Sequence, residues 1–235
     1  MNLLAKAHFL TVSSTAKNSI AKKMGLEKGD QLLRINNTTV SDIIDYHMLT
    51  CEKALRLEII KQSGESKIVD ITKGEYESLG LSFEEDIPGG IRHCCNKCVF
   101  CFVDQLPSGL RDTLYVRDDD YRHSFLYGNY VSLTNLNRTD WERIKRMRLS
   151  PLYVSVHSTD PGLRAKLFGN PNAAMIMEQL RELADAGITV HTQIVVCPGI
   201  NDGENLEHTL RDLVSLWPAV ASISVVPVGV TKYRN

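Results

Sequence analysis

Four of the six cysteines in this chain fall within eight residues, Cys94-Cys95-Asn96-Lys97-Cys98-Val99-Phe100-Cys101. The other two, Cys51 and Cys197, stand alone. A disulfide scaffold spreads its cysteines along a short secreted chain, whereas a tight group in a reducing compartment more often binds metal. Cys94, Cys98 and Cys101 have the spacing C-x3-C-x2-C. Zinc takes four tetrahedral ligands, usually from two paired motifs. A zinc site here would have to recruit Cys95, His93, Cys51 or Cys197 as its fourth ligand. Thiolates also hold iron–sulfur clusters, and three cysteines on a 4Fe–4S cluster leave one iron open to a reactant. The spacing is compatible with both metals.

Other side chains qualify as candidates by type and position. Cys95 offers an alternative ligand through C-x2-C with Cys98, but reads better as a bystander thiol, and His93 is balanced between ligand and ordinary loop residue. In the run Arg117-Asp118-Asp119-Asp120-Tyr121-Arg122 the three acids could bind Mg²⁺ or contact a substrate or cofactor, but the run reads better as a solvated loop, because adjacent acids seldom point to one place. Ser155 and His157 are expected to share one face of a strand, and His191 and Gln193 one face of the next. Buried polar groups need partners, and a bound ligand could supply them. Cys197 reads as structural.

The elements that must position these groups form two rhythms, divided near Pro88-Gly89-Gly90. Before that point the pattern predicts a short helix over 19–24, strands over 31–35 and 38–40, a helix through Ile43 and Met48 capped by Ser41, and strands around 55–59 and 68–71. After it, strands are predicted over 130–134, 152–157, 188–196 and 220–226. Helices between them are capped by Thr139, begun near Asn172, and run from Leu206 to a stop at Pro218. Alternating β and α elements imply a parallel sheet, with ligands at the carboxyl ends of its strands. The fold class is α/β: a small β-rich domain, then an incomplete (β/α) partial barrel.

Composition narrows the function. The 235 residues carry 27 Lys+Arg against 28 Asp+Glu, and 43% are hydrophobic, as in a globular chain with a real core. The net charge of −1 and dispersed basic residues give no nucleic-acid footprint. No apolar run is long enough to cross a membrane, and the start MNLLAKAHFL does not read as a signal peptide, so a cytoplasmic setting is expected.

Two resemblances sharpen this. Gly25-Leu26, Lys28-Gly29-Asp30-Gln31-Leu32 and Ile35-Asn36-Asn37 resemble a PDZ-like domain, although no glycine-rich carboxylate-binding loop precedes the helix. The resemblance assigns residues 1–85 to that domain, as a packing module or a site for a protein partner. The cysteine spacing, with Phe100 before the last cysteine and β/α units behind it, resembles the radical SAM superfamily. More narrowly, HCCNKCVFCFVDQLP, GLRDTLYVRDDDYR and LYGNYVSLTNL are similar to a bacterial family of proposed iron–sulfur oxidoreductases. Those relatives join a PDZ-like domain to a radical SAM region and end in a domain of unknown function. On that likeness residues 90–235 are a radical SAM-like partial barrel, and the chain is expected to be an N-terminal portion, truncated at its C-terminus.

The resemblance implies that Cys94, Cys98 and Cys101 hold a 4Fe–4S cluster. S-adenosylmethionine would bind the open iron and be cleaved to a 5′-deoxyadenosyl radical, with the electron coming from a donor such as a flavodoxin or ferredoxin. Phe100 would sit near the adenine. Where relatives carry a Gly-Gly-Glu-like motif this chain has Leu133-Thr134-Asn135-Leu136, so Thr134 and Asn135 become the candidates for holding the amino group. Ser155 and Gln193 are further cofactor-binding candidates. The substrate is not named by the sequence. Two other functions fit the same loop, a non-catalytic electron-transfer protein and a zinc-stabilised interaction module.

Overall fold

The computed structural model describes residues 9–233. The stretch Met1–His8, over which most of the signal-peptide reading runs, lies outside them. The chain divides into two units, one ending at Gly90 and one beginning at Ile91.

The first unit is built on period-two alternation. Strands β1 (Leu10–Thr15), β2 (Gln31–Ile35), β4 (Ala54–Ile60), β5 (Ser66–Thr72) and β6 (Leu81–Phe83) lie in the order β5–β4–β2–β1–β6, antiparallel throughout, with the short β3 (Thr38–Thr39) on β2. Leu55, Leu57 and Ile59 of β4 are buried with Leu10, Leu32, Ile35 and Val69, while the intervening side chains face outward. Two helices cover the core. The helix expected over 19–24 is α1 (Ile20–Lys23), with Ser19 as its cap. The cap of α2 (Ile43–Leu49) is Asp42 rather than Ser41: the Asp42 carboxylate accepts the N–H groups of Ile44 and Asp45 and is fully buried.

The second unit carries a parallel sheet, β7 (Leu152–Ser155), β8 (Val190–Val196) and β9 (Val220–Pro227) in that order. Around it run α3 (Tyr121–Tyr127), α4 (Arg138–Met147), α5 (Pro161–Phe168), α6 (Ile176–Asp185) and α7 (Gly203–Val214). Among the described residues no barrel is closed. Leu152, Val154, Val190, Thr192 and Ile194 are buried on one face of the sheet, and Tyr153, Ser155, His191 and Gln193 are half-buried on the other.

Several expectations change here. Residues 130–134 form no strand; only Val131 bridges to Val154, because Leu133 turns into the left-handed region at φ 62°. β7 stops at Ser155, and His157 also has a left-handed φ of 64°, so the alternation that would place it on the Ser155 face is broken. α4 is capped by a reciprocal box between Asn137 and Asp140, not by Thr139. Asn170, not Asn172, caps the short 3-10 turn Pro171–Met175 that leads into α6. The acidic run is no solvated loop: Asp119 and Asp120 are buried, and Asp120 caps α3. The helix α5 escaped the sequence pattern, although Asp160 before Pro161 is an N-terminal signal and Gly169 follows its last turn.

Candidate functional site

The cysteine loop lies against the end of α5. Lys97 N–H donates to the Phe168 carbonyl (2.8 Å) and Val99 N–H to the Leu167 carbonyl (2.9 Å). This approach requires glycine at 169: a Cβ there would stand 2.8 Å from the Lys97 carbonyl oxygen, and φ is +58°. Cys98 and Phe100 pack on the buried Leu167, Phe168 and Ala173. The Phe100 ring lies 4.2 Å from the His157 ring and 5.8 Å from that of Phe168.

His157 is a fixed neutral imidazole. Its Nδ1 accepts the Val195 N–H at 2.9 Å, which leaves the proton on Nε2, and burial pulls its pKa down to about 3. Below it Arg164 is fully buried, with its guanidinium over the Phe168 ring at 4.5 Å. Arg164 donates to the carbonyls of Val156 (3.0 Å), Ser132 (2.9 Å), Ser155 (2.8 Å) and Ala173. Burial lowers its pKa to about 9, so it stays charged at neutral pH. One side chain thereby ties the end of β7, the 132 turn and the 3-10 turn before α6 together.

A second network reaches into the loop itself. Asn96 is buried between the cysteines. Its Nδ2 donates to Ser132 Oγ (2.9 Å), and its Oδ1 accepts from Thr134 Oγ1 (2.9 Å) and Asn170 Nδ2 (2.7 Å). Asp119 closes the chain, accepting the Ser132 N–H and meeting the Ser132 hydroxyl, each at 2.6 Å. Burial raises the Asp119 pKa to about 6.

None of the six cysteines forms a disulfide. Burial pushes the Cys98 thiol up to about 12, and the nearby charges of Cys94 and Cys101 push the same way. The Cys94 thiol is also raised by burial, against the Asn96 N–H that its sulfur accepts at 3.4 Å. Cys95 is exposed, with its sulfur 3.6 Å from Asn170 Nδ2. Among the described residues no three His, Cys, Asp or Glu side chains converge to hold one metal ion. The donor set suits a cluster in kind, because thiolates are its usual ligands and each binds a separate iron.

The remaining candidates separate into groups. Ser155 and Gln193 are register partners on adjacent strands of the half-buried face. The Thr134 hydroxyl is engaged by Asn96 and Ser132. Asn135 Nδ2 donates to the Asp119 carbonyl, while its Oδ1 is buried without a hydrogen-bond partner. His93 sits in an isolated bridge to Asp118. Asn96, Ser132 and Arg164 were missed as site residues. An asparagine set between cysteines was the only signal in the sequence.

The first unit has its own concavity, about 360 Å³, lined by Tyr46, His47 and Thr50 of α2 and by Ser78, Leu79 and Leu81 beside β6. β6 ends the sheet order, paired by β1 on one side. Gly80, at φ +74°, lets the loop before β6 pass Ser19, whose Cβ a side chain would meet at 2.4 Å. A glycine turn is therefore present at this groove, but it follows the helix in chain order.

Residues 73–223, more than half of the chain, match the family described as the radical SAM-like domain. The chain belongs to the radical SAM-like family. Residues 11–61 match a PDZ domain. The radical SAM-like match begins just after β5 and runs into β9, so it takes in the cysteine loop and the whole Asn96 network. No curated protein matches the chain.

Proposed function

We propose that the radical SAM-like region is an iron–sulfur enzyme whose cluster is held by Cys94, Cys98 and Cys101. The observation that carries this is the family match over residues 73–223 together with a cysteine loop whose Lys97 and Val99 N–H groups are held by α5 carbonyls. Within that loop Cys94, Cys98 and Cys101 are half-buried, whereas Cys95 is exposed with its sulfur 3.6 Å from Asn170 Nδ2, which favours the 94/98/101 set. When bound, the reduced cluster supplies the electron that cleaves S-adenosylmethionine to a 5′-deoxyadenosyl radical.

The chain's own residues bind and exclude water. Phe100, backed by His157 and Phe168, offers an aromatic face beside the loop. Asn135 Oδ1, the buried acceptor left unpartnered, is suited to an ammonium N–H of the cofactor. Ser155, at the carboxyl end of β7, and its register partner Gln193, midway along β8, present polar groups from the half-buried face. Thr134 serves the loop rather than the cofactor, because its hydroxyl is engaged there.

The test is anaerobic loading with iron and sulfide. The wild type is expected to turn brown and, with a strong reductant, to release 5′-deoxyadenosine from S-adenosylmethionine. A Cys94/Cys98/Cys101→Ala triple variant that stays equally brown refutes the ligand set. A fully loaded wild type that releases no 5′-deoxyadenosine leaves the electron-transfer reading in its place.

The PDZ unit is proposed to take a protein partner as an extended peptide added along β6 and facing α2. Strand addition at a sheet edge is the way such domains bind. Shift changes confined to residues 43–50 and 78–83, on titrating the chain with a C-terminal peptide library, would support it. Their absence with every peptide would count against it.

A further inference from the structure

Asn96 is the one buried polar residue of the cysteine loop, and every one of its side-chain polar atoms is engaged. Its three partners come from two separate places: Ser132 and Thr134 from the turn before α4, and Asn170 from just beyond α5. Its backbone N–H meets the Cys94 sulfur at 3.4 Å, and the next residue donates to Phe168. A carboxamide that ties the loop to two separate segments through three hydrogen bonds fixes the backbone on both sides of it. The solvent-exposed Cys95 beside it is left with looser sulfur contacts of 3.6 and 3.9 Å.

We infer that Asn96 is a positioning residue: its carboxamide fixes the backbone between Cys94 and Cys98, and with it the N–H that meets the Cys94 sulfur. This rests on the reading that Cys94, Cys98 and Cys101 carry the cluster. Hydrogen bonds to ligating sulfurs are among the factors that set a cluster's potential. A loosened N–H at Cys94 withdraws less electron density from the sulfur, so the oxidised cluster is favoured and the midpoint moves to more negative values. Thr134 enters the inference as the hydroxyl donor to Asn96 Oδ1.

The test compares Asn96→Ala, Thr134→Val and Thr134→Ser with wild type in the full chain. The valine keeps the volume of threonine and loses the hydroxyl, and the serine keeps the hydroxyl. In the iron-free protein, hydrogen exchange is read over peptides spanning 92–101. We expect at least tenfold faster exchange there in Asn96→Ala and Thr134→Val, near wild-type rates in Thr134→Ser, and unchanged rates in β8. Wild-type rates at 92–101 in both altered proteins overturn the inference, as does an even rise across the whole unit. In iron-loaded protein the midpoint of Thr134→Val is expected below that of wild type, and an unchanged midpoint overturns the claim on the Cys94 sulfur. If wild type takes up no iron, the cluster reading fails, while the exchange result still decides the role of Asn96.

Discussion

Replacing Asp119 by Asn should stabilise the iron-free protein at neutral pH. The reason is a count of protons. Ser132 and Thr134 each have one hydroxyl proton. If Thr134 donates to Asn96 and Ser132 to an ionised Asp119, no proton remains for the 2.7 Å contact between Ser132 and Thr134. A protonated Asp119 donates to Ser132, Ser132 then donates to Thr134, and the chain to Asn96 is complete. Burial acts in the same direction and lifts the Asp119 pKa from 3.8 to about 6. For an acid with a raised folded pKa, the ionised form costs stability above that pKa. The cost fades as pH falls and is gone below the unfolded value. About two pH units at ~1.4 kcal/mol each make that cost about 3 kcal/mol at pH 7. An Asn side chain supplies the missing donor at every pH. Urea unfolding at pH 4, 5, 6 and 7 measures it: the Asp119→Asn variant should match wild type near pH 4 and exceed it by about 3 kcal/mol at pH 7. A variant less stable than wild type at pH 7, with a difference that does not change with pH, would refute the proton count.

Three further outcomes follow from the same geometry. Gly169→Ala places a Cβ against the Lys97 carbonyl in a left-handed conformation; about 1–2 kcal/mol for the backbone alone should appear in thermal unfolding, with faster exchange at Lys97 and Val99. Arg164→Met leaves four backbone carbonyls without their cationic donor; a loss of about 3–5 kcal/mol in chemical denaturation is expected. Because burial raises the Cys94 and Cys98 thiols, metal binding must release protons. Iron loading should therefore rise steeply between pH 7 and pH 9, read by absorbance, and a flat profile would contradict it.

The sequence carried the parts of the fold that rest on local pattern. The alternation in Leu55, Leu57 and Ile59 located β4 because one face of that strand is core and the other solvent. The same rule misread residues 130–134, where Ser132 and Thr134 are engaged by Asp119 and Asn96 and the backbone turns at Leu133. It missed α3 because three adjacent acids look solvated until one caps a helix and another is buried under Ser132. Cysteine spacing marked the loop, since ligand spacing is a local property. Arg164 was invisible, because its four acceptors lie on segments that only the tertiary structure brings together.

The hydrogen bonds from Lys97 and Val99 to Phe168 and Leu167 have a thermodynamic meaning of their own. Those carbonyls belong to the last turn of α5, groups that a helix leaves without intrahelical partners. The cysteine loop is therefore the closing cap of α5, and the two must order and melt as one cooperative piece. A zinc finger is disordered until its metal arrives, and its binding free energy is spent on folding. Here the polypeptide has already lost that conformational freedom through contacts with itself. The iron–sulfur unit proposed above would meet a loop already ordered, so most of its binding free energy would be left as affinity.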